Sequence, residues 1–303
     1  MFEEFRLEST VCDELIKGLV ILQDIDPASP RKENLAAVRE LINENRILAE
    51  FCNDLKNSIL STQEKGYFLL DSNKIVNSDE EARLLNFLLV CCAGEPIWLF
   101  NDESFWFELG VKLDADPGRT HGVGENKLHV DMVGYSRVPR LISFHSMRKD
   151  LNGGGMTLLA DMEKAIGFLS DEDIKLLSSP HFKYWHDEGV REVGTGLDQF
   201  PVIDHNSLAG RRVYRFTSKM DQHFEKEGLV LTHEGEQKKQ KIIGSFTRLS
   251  EAAEKVREEF VLQPGQILIF DQLRFVHGRG VLGPNQQAIP EDKRRLISQC
   301  YAH

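Results

Sequence analysis

Apolar positions in the first ninety or so residues recur at the three-and-four spacing of amphipathic helices, and past Pro96 they contract into short runs. Val11, Leu15, Leu19 and Leu22 make the first stripe, which Pro27-Ala28-Ser29-Pro30 interrupts. A longer stripe of Leu35, Val38, Leu41, Ile42, Leu48, Phe51, Leu55 and Ile59 predicts one extended second helix. Residues 66–70 read as a short strand, and Ser78-Asp79-Glu80-Glu81 is a capping box opening a helix that stops at Gly94. These stripes are packing faces and carry no chemistry of their own.

The texture then changes. Apolar runs at 97–100, 105–111, 141–147, 156–160, 213–216 and 267–270, punctuated by Gly, Pro and Asp, predict strands. Only 162–178 and 250–260 read as helices in this half. Many short strands with few helices between them point to a double-sheet barrel or jelly roll, mainly β with flanking helices. No internal repeat or low-complexity tract is present, and Lys238-Lys239-Gln240-Lys241 reads as a solvated loop without aromatics for base stacking.

Composition narrows the function classes. A chain of 303 residues, 41% hydrophobic, can bury a large core in one domain or two. No apolar run is long enough for a membrane helix, and the acidic start Met1-Phe2-Glu3-Glu4-Phe5-Arg6 is unlike a signal peptide, so a cytoplasmic location is expected. Five cysteines without a C-x-x-C spacing (Cys12, Cys52, Cys91, Cys92, Cys300) predict buried free thiols. A formal charge of -11 argues against nucleic-acid or anionic-membrane partners, and it requires any anionic ligand to be met by locally concentrated arginines.

Chemistry concentrates at Lys127-Leu128-His129-Val130-Asp131-Met132. In an extended segment residues i and i+2 share a face, so His129 and Asp131 can reach one metal ion while Val130 turns away. The pattern is weak alone, because His186/Glu188 and His223/Glu225 repeat it in polar stretches that suit solvated turns. A third ligand is best supplied by His277, in Phe275-Val276-His277-Gly278-Arg279 just after the apolar run 267–270. Two His and one carboxylate on one side of a metal are the ligand set of non-heme Fe(II) oxygenases. A companion feature is Gly153-Gly154-Gly155-Met156-Thr157, a glycine turn that allows close backbone approach before a strand carries the Thr157 hydroxyl inward, 28 residues after His129.

Residues 64–303 resemble the Fe(II)/2-oxoglutarate-dependent oxygenases of the taurine dioxygenase, clavaminate synthase and gamma-butyrobetaine hydroxylase group. Four stretches carry the resemblance: 128–131, 153–158, 270–279 and Arg294-Arg295-Leu296. It implies a double-stranded β-helix with His129, Asp131 and His277 on iron. It also implies Thr157 and Arg294 on 2-oxoglutarate, O2 as oxidant, and ascorbate as a reductant in vitro. Arg294 is chosen over Arg295 because gamma-butyrobetaine-type relatives place the cosubstrate arginine first in an Arg-x-Leu run. An arginine fork matches the distal carboxylate better than a lysine point charge. The implied reaction is oxidative decarboxylation of 2-oxoglutarate to succinate and CO2, coupled to hydroxylation of an unactivated C–H bond.

One catalytic domain, 1–303, is expected, with a helical segment 1–62 packed on the 64–303 core and an insert at about 180–250. The substrate class implied is a small polar metabolite such as an amino acid, an amino-acid derivative or a similar acid. An oxygenase acting on a protein and a non-catalytic metal-binding barrel are the competing classes. Relatives with anionic substrates often carry a second arginine four residues past the cosubstrate arginine. On the Arg294 assignment that position is Ser298, which leaves Arg211, Arg212 and Arg215 of the insert as candidates for substrate recognition. His145 reads as an inert strand residue and Arg279 as a brace for the loop after His277. A homo-oligomer is compatible with the sequence, which leaves that question open.

Overall fold

The computed structural model describes residues 3–61, 63–98, 105–183, 196–205, 212–224 and 231–303. Helix α1 (Ser9–Ile21) follows the first apolar stripe, but the second stripe divides into α2 (Asn34–Glu44) and α3 (Arg46–Leu60). The break is at Asn45, whose extended backbone and side-chain oxygen cap α3 by accepting from the amides of Ile47 and Leu48. The stripe runs on across the break because both helices pack on one surface. Strand β1 (Tyr67–Asp71) comes next, and then α4 (Asp79–Ala93), opened by the expected Ser78/Glu81 capping box.

The remaining strands are β2 (Pro96–Ile97), β3 (Phe107–Gly110), β4 (Asn126–His129), β5 (Leu141–Arg148), β6 (Thr157–Asp161), β7 (Ile203–Asp204), β8 (Val213–Tyr214), β9 (Arg257–Phe260), β10 (Gln266–Asp271), β11 (Phe275–Arg279) and β12 (Leu296–Ala302). Expected helix 162–178 is two short helices, α5 (Met162–Ile166) and α6 (Asp171–Leu177), because Ser170 caps a new start. Helix α7 (His233–Glu236) precedes α8 (Lys239–Val256), which takes up most of the basic run expected as a loop. Expected helix 250–260 is corrected as well. Residues 257–260 leave α8 to pair with β6, Thr157 opposite Phe260 and Ala160 opposite Arg257. Among the described residues no helix is long and apolar enough to cross a membrane.

All strand pairs of the two larger sheets are antiparallel. One sheet runs β1-β10-β5-β12-β2 with β3 also on β12, and the other runs β4-β11-β6-β9. Side-chain alternation divides the apolar residues into three layers. Phe68, Leu70, Ile267, Ile269, Cys300 and Ala302 point outward from the larger sheet into a cluster with Leu15, Leu48, Leu55 and Leu88 of the N-terminal helices. Leu128, Leu158, Ala160 and Val276 point outward from the smaller sheet against Ile166, Phe246 and Leu249. Between the sheets lie Phe144, Leu159, Leu268, Phe270, Phe275, Ile297 and Tyr301. Helices flanking antiparallel sheets agree with the expected class, and the polar residues of the inner faces define the site.

Candidate metal and cosubstrate site

His129 ends β4, and with Leu128 and Val130 packed in the outer cluster, its imidazole and the Asp131 carboxylate turn between the sheets. His277 enters from β11, directly opposite His129 in the antiparallel pair. Their ligand atoms lie within 4.8 Å of one another. His129 Nε2 is 3.4 Å from Asp131 Oδ1, His277 Nε2 is 3.5 Å from Asp131 Oδ2, and the two rings are 4.5 Å apart. Phe144 and Phe270 flank His277 at 5.6 and 5.5 Å between ring centroids.

The protonation pattern suits a cation. His129 Nδ1 is 2.7 Å from the Lys127 carbonyl, which can only accept, so the proton sits on Nδ1 and Nε2 carries a lone pair. Burial lowers the His129 pKa to about 4, leaving the ring neutral near pH 7. Burial works against ionising Asp131, but His277, facing its Oδ2, is the largest influence opposing this, and the carboxyl is held well below the ordinary value. A lone pair thus points at a carboxylate oxygen across 3.4 Å, an arrangement that a metal ion between them relieves.

Asp131 is braced from behind. Gln299 Nε2 and the Tyr301 hydroxyl donate to Oδ2 at 2.9 and 2.8 Å, and Gln299 also donates to the Tyr301 oxygen at 2.7 Å. Burial and the neighbouring carboxylate push the Tyr301 phenol well above its usual pKa, so it remains a donor. Gln272 accepts from the Asp131 amide at 2.9 Å and donates to the Pro139 carbonyl at 2.7 Å, fixing the turn in which Met132 has φ 60°. Strands buried on both faces lack the polar alternation that would have revealed Gln299 and Tyr301 in the sequence.

The cavity beside the triad is lined by Asn126, Thr157, Arg279, Arg295, Gln299 and Tyr301, among others. Arg295 lines this cavity, and Arg294, the arginine expected on the cosubstrate, is not among its lining residues. Inward positions of β12 are Ile297, Gln299 and Tyr301, and Arg295 continues that parity. Arg294 lies half-buried on the other side, its Nε donating to the Ile289 carbonyl at 3.1 Å. Counting from Arg295, the position four residues on is Gln299, committed to Asp131, and not Ser298, whose hydroxyl donates to Glu108 at 3.0 Å. Burial lowers the Arg295 pKa to about 9, with Arg279 adding to the effect, so the guanidinium stays charged near pH 7. No described residue hydrogen-bonds or ion-pairs it. The Asn126 side-chain oxygen and the His277 Nδ1 are likewise buried without partners among the described residues.

Glycine chemistry builds the far wall. Gly155 has φ +67°, and a Cβ there would lie 2.9 Å from Arg295 Cδ, so both backbone freedom and the close approach of the arginine require glycine. Asp150 accepts from the amides of Asn152, Gly154 and Gly283 and from Gln286 Nε2, at 3.1, 3.2, 2.6 and 2.9 Å, tying this turn to the loop after β11. Arg279 also lines the cavity but is spent on structure. Its guanidinium donates to the Thr120 carbonyl at 2.9 Å and to the Gly124 carbonyl, binding the 120–124 loop to the His277 strand, and of the expected loop after His277 it meets the Gly280 carbonyl, at 3.4 Å from Nε.

Other candidates fall away. Arg215 is buried on Asp204 and the Val133 and Tyr135 carbonyls, and Arg212 pairs with Glu163, so neither is free for a substrate. His145 is buried, with its pKa lowered to about 4 by burial and then by Arg83, which suits a structural role. Arg211, the His186/Glu188 pair, the side chain of His223 and Glu225 lie outside the described residues.

Comparison with known proteins follows this geometry. No curated protein matches the sequence. An asparagine oxygenase structure holding Fe(II), 2S,3S-3-hydroxyasparagine and succinate is similar over 98% of this chain and 92% of that one, with a TM-score of 0.72 and 14% identity. The non-heme iron oxygenase OrfP with Fe and alpha-ketoglutaric acid is similar over 100% and 94%, at TM-score 0.70 and 14% identity. OrfP with Fe and L-Arg covers the same shares at TM-score 0.67 and 14% identity. The family model described as taurine catabolism dioxygenase TauD, TfdA family matches residues 101–301, about two thirds of the chain, and the chain belongs to that family.

Proposed function

We propose that this dioxygenase hydroxylates an unactivated C–H bond of a small amino acid or a closely related acid, on a double-stranded β-helix formed by the two facing sheets. The balance is 2-oxoglutarate, O2 and substrate R–H in, and succinate, CO2 and R–OH out. Fe(II) is the cofactor and 2-oxoglutarate the cosubstrate. His129, Asp131 and His277 would hold the iron, which when bound supplies the site for cosubstrate chelation and O2 activation. The observation that carries this reading is the charged Arg295 guanidinium, without a partner among the described residues, in the same cavity as the His–Asp–His cluster. Such a group calls for a carboxylate, and a bidentate one is its best match.

The side chains of the cavity divide the work. Arg295 and the Thr157 hydroxyl bind the distal carboxylate of 2-oxoglutarate, and Gly155 gives the arginine room. Gln299 and Tyr301 keep the Asp131 carboxylate oriented, and the Lys127 carbonyl keeps the His129 lone pair on the metal side. Phe107, Leu109 and Phe144 line the cavity with apolar surface that limits water near the reacting centre. The substrate class is supported by the similar structures, which hold hydroxyasparagine, L-Arg or hydroxylated L-Arg. Incubation with Fe(II), ascorbate, 2-oxoglutarate and a mixture of L-amino acids should yield succinate in equal amount to a product one oxygen atom heavier, by mass spectrometry. Succinate formation with no oxygenated acid would contradict the substrate class, and no succinate at all would contradict the reaction.

A further inference from the structure

A cation beside the metal cluster has no task in the account so far. The segment before the 3-10 turn Ser218–His223 runs antiparallel to the strand of His129: the Val130 amide donates to the Phe216 carbonyl at 2.8 Å, and Thr217 pairs with His129. Phe216 packs outward with Leu128 and Val130, so Thr217 shares the inner face with His129 and Asp131. The Thr217 hydroxyl accepts from the Lys219 amide at 3.3 Å, which turns the chain and leaves Lys219 half-buried beside the site. Its ammonium has no hydrogen bond or ion pair among the described residues. The charges it feels are Asp131 from the metal cluster, Arg279 from β11, and Arg119 and Asp116 from the 114–124 loop. His129 in turn feels Lys219.

Charge balance shows what is missing. Asp116 and Arg119 offset each other at 3.9 Å, and the neighbouring Lys127 is offset by Asp221 at 3.8 Å. Arg279 has Asp150 as its counter-charge. With Fe(II), Asp131, the 2-oxoglutarate dianion and Arg295 together neutral, Lys219 is left with one uncompensated positive charge in a poorly solvated place. Burial, the largest influence on it, pulls its pKa down, and Asp131 only partly opposes this. Leaving such a charge unpaired is costly, and a ligand anion removes the cost.

We propose that Lys219 binds a carboxylate of the substrate, so that the molecule hydroxylated is an acid recognised by that group and not by a second arginine on β12. The inference rests on the oxygenase reading and narrows it: a neutral metabolite or one presented as an amide is a poor substrate. Gln299, four residues past Arg295 on the inner face of β12, is uncharged and already engaged with Asp131. Lys219 supplies from the insert the charge that β12 lacks.

The test uses the iron-loaded full chain, the proteinogenic L-amino acids and their α-carboxamides, with two readouts. One is the visible charge-transfer band of 2-oxoglutarate chelated to Fe(II), recorded without oxygen. The other is substrate-triggered succinate release in air. In the wild type at least one acid should stimulate release, with its carboxamide needing a roughly thirty-fold or higher concentration. Lys219→Met should raise the concentration required of the acid by a similar factor, shrink the acid-over-amide preference to within about three-fold, and leave the 2-oxoglutarate titration unchanged. Lys219→Arg should recover part of the preference. An unchanged preference in Lys219→Met overturns the proposal, as does a wild type indifferent to acid and amide or unresponsive to every acid. A weakened 2-oxoglutarate titration in Lys219→Met would instead assign the lysine to the cosubstrate. Absence of the charge-transfer band in the wild type would mark failure of the oxygenase reading itself.

Discussion

Tyr301 and Gln299 meet on one oxygen of Asp131, which leaves Oδ1, the oxygen facing His129, as the less encumbered metal donor. A carboxylate fixed this way needs little reorganisation when the metal arrives, and loss of such a brace typically costs ten- to a hundred-fold in metal affinity. Tyr301→Phe should therefore weaken Fe(II) binding about ten-fold in an anaerobic titration, with thermal stability nearly unchanged because ring packing is kept. Unaltered affinity would show that Gln299 alone suffices. At this scale the meeting of His129 and Asp131 was legible from spacing, since i and i+2 on a strand share a face. The arginine that lines the cavity was legible only as one of a pair. Arg294 and Arg295 face opposite ways, and β12 is apolar on both sides, with Ile297 and Tyr301 inward and Cys300 and Ala302 outward. Hydrophobic pattern therefore gives no parity to choose by. Asp150, which organises the glycine turn, lies only three to five residues before its glycines, but its backbone partner across the chain, Gly283, appears only in the fold.

Helix caps and short ion pairs decide where elements start, and they account for the differences from the periodicity. Asn45 interrupts a continuous apolar stripe because its side chain satisfies two amides at the start of α3. Asn45→Ala should cost about 1 kcal/mol, read as a lower denaturation midpoint with unchanged m-value. At the other flank, Asp173 of α6 accepts from Ser245 Oγ at 2.7 Å and from Arg248 Nε at 3.1 Å, both on α8. Arg248, more than burial or any other neighbour, holds the Asp173 carboxyl well below its ordinary value. A depressed folded-state pKa means that this stabilisation is full above about pH 4, the unfolded carboxylate value, and fades as pH falls below it. Because Arg248 is half-exposed, solvent screening limits the pair. Asp173→Asn should lose about 1–2 kcal/mol at pH 7 and progressively less than that in chemical denaturation at pH 3 and below. A difference that grew on acidification would refute the assignment. Residues 257–260 were misread because Ser250 to Val256 is helical and Arg257-Glu258-Glu259-Phe260 has no strand-like apolar alternation; pairing with β6 decides their conformation.

Across the whole molecule, helices cover the outer face of each sheet and the polar residues of the inner faces gather at one cavity, so a chain of net charge -11 still presents Arg295 and Arg279 in the cavity that holds His129, Asp131 and His277. The stripes of the N-terminal half announced the helices, and the short runs announced the strands. Which strands pair, and hence which distant residues meet, is written in no local pattern, and the family resemblance supplied it. The central claim, that one site holds iron through His129, Asp131 and His277 and 2-oxoglutarate through Arg295, is tested most directly by titrating 2-oxoglutarate into the Fe(II)-loaded protein without oxygen. The visible charge-transfer band should appear in the wild type and be lost in His277→Ala. Its half-saturation should rise roughly thirty-fold or more in Arg295→Gln, the loss of a desolvated charged partner at tenfold per ~1.4 kcal/mol, and stay within about two-fold in Arg294→Gln. A band that survives in His277→Ala, or that weakens in Arg294→Gln while Arg295→Gln binds normally, would contradict the account.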